Sequence, residues 1–282
     1  MIYILKIKMN YEDDNIIVKD SEIDKCGKGL YAKKDFSVGD IILIEKPFYI
    51  KGEQITEDIK IKLMELKNSI DNDEDFISGI LQTNAISLDG NGSGLFTIVS
   101  RINHNCIANS RYFWNTVENK EYIIAVRDIK KCEEITVSYG ETVLMPYNER
   151  CEYLYNRWRI NCGCLMCKNN EIDPTKKKLK KLDDMILSLS QEENFEVAFR
   201  CSKKMLELIE STLLGDDLLF KQKIYYDMYQ LLMYEMKTSE ANNYLRQYLE
   251  LTKIVEKENS QNYKKKYRYL KNPMFFLMDK LC

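Results

Sequence analysis

Apolar positions along this chain change their period twice. From about residue 15 to residue 50 they come in short runs broken by turn residues: IIVKD, then the loop DKCGKGL, then IILIEKPFYI. β-Branched runs bounded by glycine, serine and aspartate predict strands, with turns at 24–30 and at Ser37–Asp40. Between 53 and 72 the spacing turns helical. Ile55, Ile59, Leu63, Leu66 and Ile70 share one face, which predicts a single amphipathic helix packed on the core. An acidic turn, DNDED, and the segment FISGILQTNAISL lead back to the body. After the glycine-rich turn DGNGSG, the run LFTIVSRIN predicts a buried strand or extended segment. YFWNTVENKEYIIAVRDI predicts a hairpin turning at Glu118–Lys120, and EEITVSYG one more strand.

Beyond Thr142 the pattern is helical. ERCEYLYNRW predicts a helix that closes on the knuckle Cys162-x-Cys164-x-x-Cys167. Asp173 before Pro174 predicts a capped helix start. Faces follow at Leu179, Leu182, Met185, Ile186 and Leu189; at Ala198, Cys201, Met205, Leu208 and Ile209; at Ile224, Met228, Leu231 and Leu232; and at Tyr244, Leu245, Tyr248 and Leu251. Gly215-Asp216 separates the second of these from the third. Four or five antiparallel helices are expected, stacked like tetratricopeptide repeats although no repeat consensus is present. Three stretches result: 1–145, strand-rich with a helical insert at about 53–86; 146–170, the knuckle segment; and 171–282, all helical.

Composition narrows this picture. A chain of 282 residues with 45% hydrophobic and 30% charged content is that of an ordinary globular protein. The net charge of −2 gives no electrostatic case for nucleic acid or membrane binding by the whole body. Lysine runs at 176–178 and 264–266 predict solvated helix faces. The opening MIYILKIKMN is interrupted by Lys6 and Lys8 and has no cleavage site, so it does not read as a signal peptide. No run approaches eighteen apolar residues. Nine cysteines, partly clustered, then predict a reducing compartment and metal thiolates rather than disulfides.

Three thiols within six residues suit one soft cation, and a structural zinc takes four ligands. No histidine is at hand, because the chain's one histidine is His104 in RINHNCIAN, so Cys106, Cys151 and Cys26 are the candidates for the fourth. Gly27 and Gly29, flanking Lys28, permit close backbone approach to a ligand, but no helix start or third glycine follows to make a dinucleotide fingerprint. A Cys–His hydrolase is disfavoured because Cys106 sits two residues from His104 on one loop. A zinc protein binding nucleic acid is disfavoured by the lack of a basic-aromatic face.

Asn103-His104-Asn105-Cys106, then Asn109, then Tyr139-Gly140 on a later strand, then the cysteine knuckle, together resemble a SET domain of the SMYD type. Gly27-Lys28-Gly29-Leu30 through Gly39 resembles that family's first sheet, and Asn84-Ala85-Ile86 its Asn-Ser-Phe. By motif the resemblance covers about residues 18–170. It implies an α+β fold: short β-sheets with a pseudoknot and a post-SET zinc site, followed by an all-α C-terminal domain. With no cysteine between Cys26 and Cys106, the family's MYND zinc module is missing from that place. The implied activity is S-adenosylmethionine-dependent methyl transfer to the ε-amino group of a lysine in a histone or other protein. Tyr139 would be catalytic. Lys28, Gly29, Asn84, Asn103, His104, Tyr139 and Ile160 would meet the cofactor, and Ile86 and Trp158 would line the lysine channel. Cys106 would join Cys162, Cys164 and Cys167 on one structural zinc. The sequence departs from the family at Ala108, usually proline; at Ile160, usually an aromatic on adenine; and at Trp158, usually a tyrosine. Those departures keep open an alternative, a weak or inactive SET-fold scaffold for protein interaction. A monomer is expected, intracellular (nuclear, cytoplasmic or both), with a protein substrate and neither nucleic acid nor membrane as partner.

Overall fold

The computed structural model describes residues 11–23, 27–69, 76–89, 92–140, 142–168, 173–212, 214 and 217–281. Cys26, Ile70, the acidic turn 71–75, part of the glycine-rich turn at 90–91, and Gly215-Asp216 lie outside them. The chain divides into two units, Met1–Gly140 with Tyr147–Lys168, and Glu141–Pro146 with Asn169–Cys282.

The first unit is built from three small sheets. In chain order its elements are β1 (Ile16–Asp20), β2 (Lys28–Ala32), β3 (Ile41–Glu45), β4 (Tyr49–Ile50), α1 (Glu57–Leu63), α2 (Phe76–Asn84), β5 (Ile86–Ser87), β6 (Ser93–Leu95), β7 (Asn103–His104), β8 (Ser110–Asn115), β9 (Lys120–Ala125), β10 (Glu134–Val137), α3 (Tyr147–Trp158) and α4 (Leu165–Lys168). The sheets run β1-β2-β10-β7, β3-β9-β8 and β4-β6-β5. Pairing is antiparallel except between β10 and β7, where Thr136 lies beside Asn103 and Val137 beside His104. That one parallel pair brings two pieces of chain, more than thirty residues apart in sequence, to a common edge. Ile16, Leu30, Ile102, Ile123, Ile135 and Val137 fill the core between the sheets. Each such side chain contributes roughly 1.5–3 kcal/mol when fully buried.

The 53–72 stretch is not one helix. α1 stops at Leu63, and Glu65 and Leu66 turn back with i→i+3 bonds to Lys62 and Leu63. Leu66 still reaches the core, but from outside the helix. The expected return segment is itself a helix, α2, and Ser69 donates its amide to Thr83 Oγ1 rather than continuing α1. IILIEKPFYI is two strands, because Pro47 has no N–H for a ladder and interrupts it. The run 95–103 is not continuous strand either. Residues Val99–Arg101 form a 3₁₀ turn, and the Glu45 carboxylate accepts from the amides of Thr97, Ile98 and Val99. Lys28 and Gly29 belong to β2 rather than to the preceding loop.

Among the described residues, the second unit holds six helices, one or two more than expected: α5 (Asp173–Gln191), α6 (Phe195–Glu210), α7 (Leu218–Tyr234), α8 (Thr238–Val255), α9 (Gln261–Lys271) and α10 (Met274–Leu281). Asp217 caps α7 and Ser260 caps α9 through their side-chain oxygens. The lysine runs are not uniformly solvated. Lys176 lies on the same face as Leu179, both are fully buried, and its ammonium reaches the Met145 carbonyl. Lys266 sits over the Tyr226 ring at 3.9 Å.

Candidate active site

Asn109 fixes the loop that follows β7. Its Oδ1 accepts from the Thr136 amide at 2.7 Å, and its Nδ2 donates to the Glu134 carbonyl at 2.8 Å. An asparagine can bond a passing strand on both sides in this way, and here it holds residues 105–109 against β10. On the other side of β10, the Glu134 carboxylate accepts from Ser21 Oγ, Tyr31 Oη and Asn103 Nδ2, each at 2.8 Å. Gly29 makes room for that carboxylate. A Cβ there would stand 2.2 Å from Glu134 Oε1. Asn103 Nδ2 also donates to the Lys28 carbonyl at 2.9 Å, so what Asn103 offers a ligand is its amide oxygen and main chain.

His104 is turned inward, only 2% exposed. Its Nδ1 accepts from the Tyr139 amide at 2.9 Å and its Nε2 lies 3.2 Å from Cys106 Sγ. Burial pushes the imidazole down to about 4, so the ring is neutral at ordinary pH. The imidazole is therefore turned away from solvent, so the cofactor contact that the resemblance implies for His104 would be left to its main chain.

Tyr139 lies two residues beyond the end of β10. Its hydroxyl donates to the Ile102 carbonyl at 2.6 Å, and its ring packs between His104 at 5.4 Å and Trp158 at 5.2 Å. Trp158, the last residue of α3, meets Tyr153 edge-on at 5.7 Å. Gly140 has φ +75, and a Cβ there would come within 2.5 Å of Tyr153 Oη. Two reasons thus select glycine at that position. The aromatic run His104–Tyr139–Trp158–Tyr153 ends at a cleft of about 650 Å³, lined by Tyr153 with Gln82, Glu149, Glu152, Asn156 and Arg157.

The four sulfurs of Cys106, Cys162, Cys164 and Cys167 lie within 4.8 Å of one another. Cys106 Sγ is 3.8 Å from that of Cys162 and 3.6 Å from that of Cys167. Tetrahedral zinc with Zn–S near 2.3 Å requires sulfurs about 3.8 Å apart, so the group fits one ion. Hydrogen bonding from Cys106 foremost pulls the Cys164 and Cys167 thiols down, while hydrogen bonding with Cys162 foremost pushes the Cys106 thiol up. Arg150, 1% exposed, places Nη2 3.7 Å from Cys167 Sγ. Cys151 stands outside the group.

Other expected site residues are placed as follows. The Lys28 ammonium pairs with Asp20 at 2.6 Å. Asn84 donates to the carbonyls of Lys67 and Ile80, which ties α2 to the chain after α1. Ile86 pairs with Gly94 and packs on the core. Ile160 is half-buried just after α3. Glu134, Arg150 and Tyr153 were not singled out from sequence. Glu134 immediately precedes a β-branched run, where a buried acid is out of pattern, and that was the available signal.

Comparison with known proteins agrees with this geometry. Residues 27–140 match the SET domain family, and this part of the chain is consistent with a SET domain of SMYD-like type. It is similar to the histone-lysine N-methyltransferase set5 of Schizosaccharomyces pombe, 28% identical over 60% of this chain and 54% of that one. It is also similar to N-lysine methyltransferase SMYD2-B of Xenopus laevis, 31% identical over 33% of this chain and 21% of that one. A third relative is the protein-lysine N-trimethyltransferase SMYD5 of Mus musculus, 32% identical over 31% and 21%. The matches thus span about half of set5 and about a fifth of the two SMYD proteins.

Proposed function

We propose that this chain is a protein-lysine N-methyltransferase that takes its methyl group from S-adenosylmethionine. The observation that carries the reading is the Tyr139 phenol, bonded to the Ile102 carbonyl and walled by the rings of His104 and Trp158. Bound S-adenosylmethionine would supply a methyl carbon on a sulfonium. Transfer of that carbon from sulfur to the lysine nitrogen would leave S-adenosylhomocysteine and release one proton to solvent. Main chain at Gly29, Asn103 and His104 would hold the cofactor, with Asn103 fixed by Glu134. The lysine must arrive as a neutral amine, although a free lysine has a pKa near 10.4. An apolar aromatic wall beside a positive sulfonium lowers that value, so no dedicated base is needed. With its proton on Ile102, the Tyr139 oxygen would act toward the amine as an acceptor. Its task is alignment, which can supply up to roughly 7–11 kcal/mol in a displacement of this kind.

Trp158 supports the channel reading. It replaces a tyrosine but keeps the aromatic wall against Tyr139. Ile160 offers less surface to an adenine than an aromatic ring would, which favours a second reading, a SET-fold scaffold that binds without transferring. Calorimetry with S-adenosylmethionine, followed by labelled transfer to histones and lysate proteins, separates the two. Binding with labelled lysine supports the enzyme, and binding without any transfer supports the scaffold.

A further inference from the structure

We infer that the His104 imidazole is a hydrogen-bonded strut between the metal centre and the catalytic segment, with its Nε2–H on the Cys106 sulfur and its Nδ1 on the Tyr139 amide. The inference rests on the zinc reading of the four cysteines but not on the methyl-transfer reading.

The tautomer follows from geometry. Nδ1 is an acceptor because the group facing it is the Tyr139 N–H, 2.9 Å away. A neutral imidazole with its Nδ1 lone pair so engaged carries its proton on Nε2. Nε2 in turn faces Cys106 Sγ at 3.2 Å, inside the core and away from water. Zinc bound by four thiolates has a formal charge of −2, and a buried charge of that kind needs compensating donors. Two side chains provide them from opposite ends of the group: His104 on Cys106, and the Arg150 guanidinium on Cys167. Of these, His104 also holds the residue before Gly140. The parallel pairing of β7 with β10 sets the distance. Val137 is level with His104, so the amide two residues further on lies against the His104 ring.

Metal occupancy is therefore felt at Tyr139 through one side chain. A thiolate with a fixed position holds the imidazole, and the imidazole holds the Tyr139 amide and packs against its ring, tilted by 54°, at 5.4 Å. His104 is on this account a positioning residue.

The test uses the full chain loaded with cadmium-113 and labelled with nitrogen-15. Because the chain has one histidine, its imidazole signals are unambiguous. The expected result is a proton on Nε2 that shows scalar coupling to the metal across the sulfur. A proton on Nδ1, or no coupling at full metal occupancy, would overturn the inference. His104→Leu supplies a second reading. Chelator competition should show zinc held roughly 10–100-fold more weakly, the sulfur-to-metal charge-transfer band of the cobalt form should move to longer wavelength, and the Tyr139 amide should exchange at least tenfold faster. Wild-type affinity, band and exchange in that variant would contradict it. If His104→Leu does not fold, the cadmium measurement decides alone. None of these readouts needs methyl transfer, so this inference and the proposed activity can fail separately.

Discussion

Two buried glutamates show what a single residue's surroundings decide. Glu134 is held by three donors and in turn fixes Asn103 and Gly29. Replacing Gly29 with alanine drives a Cβ into that carboxylate, and we expect a loss of about 2–3 kcal/mol in urea unfolding. An unchanged midpoint would mean that the carboxylate is not locked there. Glu121, fully buried on β9 opposite Trp114, has neither oxygen hydrogen-bonded. Burial first, then the Asp89 carboxylate, push it up from 4.5 to about 8. The folded chain therefore keeps that proton while the unfolded chain loses it above 4.5. Stability from this group is complete below pH 4.5 and is lost as pH rises toward 8, by up to about 1.4 kcal/mol per unit. Glu121→Gln should flatten that slope and melt higher than wild type at pH 8; parallel slopes would refute the assignment. At this scale the sequence was most legible where residues are rare and ordered. One histidine among asparagines and three close cysteines stood out, whereas Glu134 and Arg150 belong to common types and owe their roles to partners far along the chain.

Elements were legible where periodicity was local. The β8–β9 hairpin, β10, α3 and the first four helices of the second unit all follow from spacing. Two of the failures share a cause: a distant polar group took over the backbone. Thr83 Oγ1 captures the amide of Ser69 where α1 was expected to continue, and Glu45 gathers three amides into the turn before β7. That turn aims Ile102, whose carbonyl receives the Tyr139 hydroxyl. Glu45→Ala would leave the amides of Thr97, Ile98 and Val99 without their acceptor. We expect about 2–4 kcal/mol lower stability by urea unfolding, with Glu45→Gln recovering part of it. A change below about 0.5 kcal/mol for the alanine variant would show that the turn holds without its cap.

At the scale of the whole chain, the four-cysteine group that could hold a metal ion belongs to the first unit, and the elements described in the second unit are all helices. Zinc binding is folding free energy for the segment it ties down. Chelation should therefore lower the first unit's melting temperature and split the unfolding of the full chain into two transitions. Most of the far-ultraviolet helical signal, which comes from α5–α10, should survive the first. A single unshifted transition after complete metal removal would contradict this. The central claim is that the Tyr139 phenol serves methyl transfer to lysine. It is tested by mass spectrometry of lysate proteins incubated with the purified chain and methyl-labelled S-adenosylmethionine, beside the Tyr139→Phe variant. The account predicts labelled lysine with the wild-type chain and at least about 100-fold less with the variant. No labelled lysine from wild type, or equal labelling from both, would contradict it.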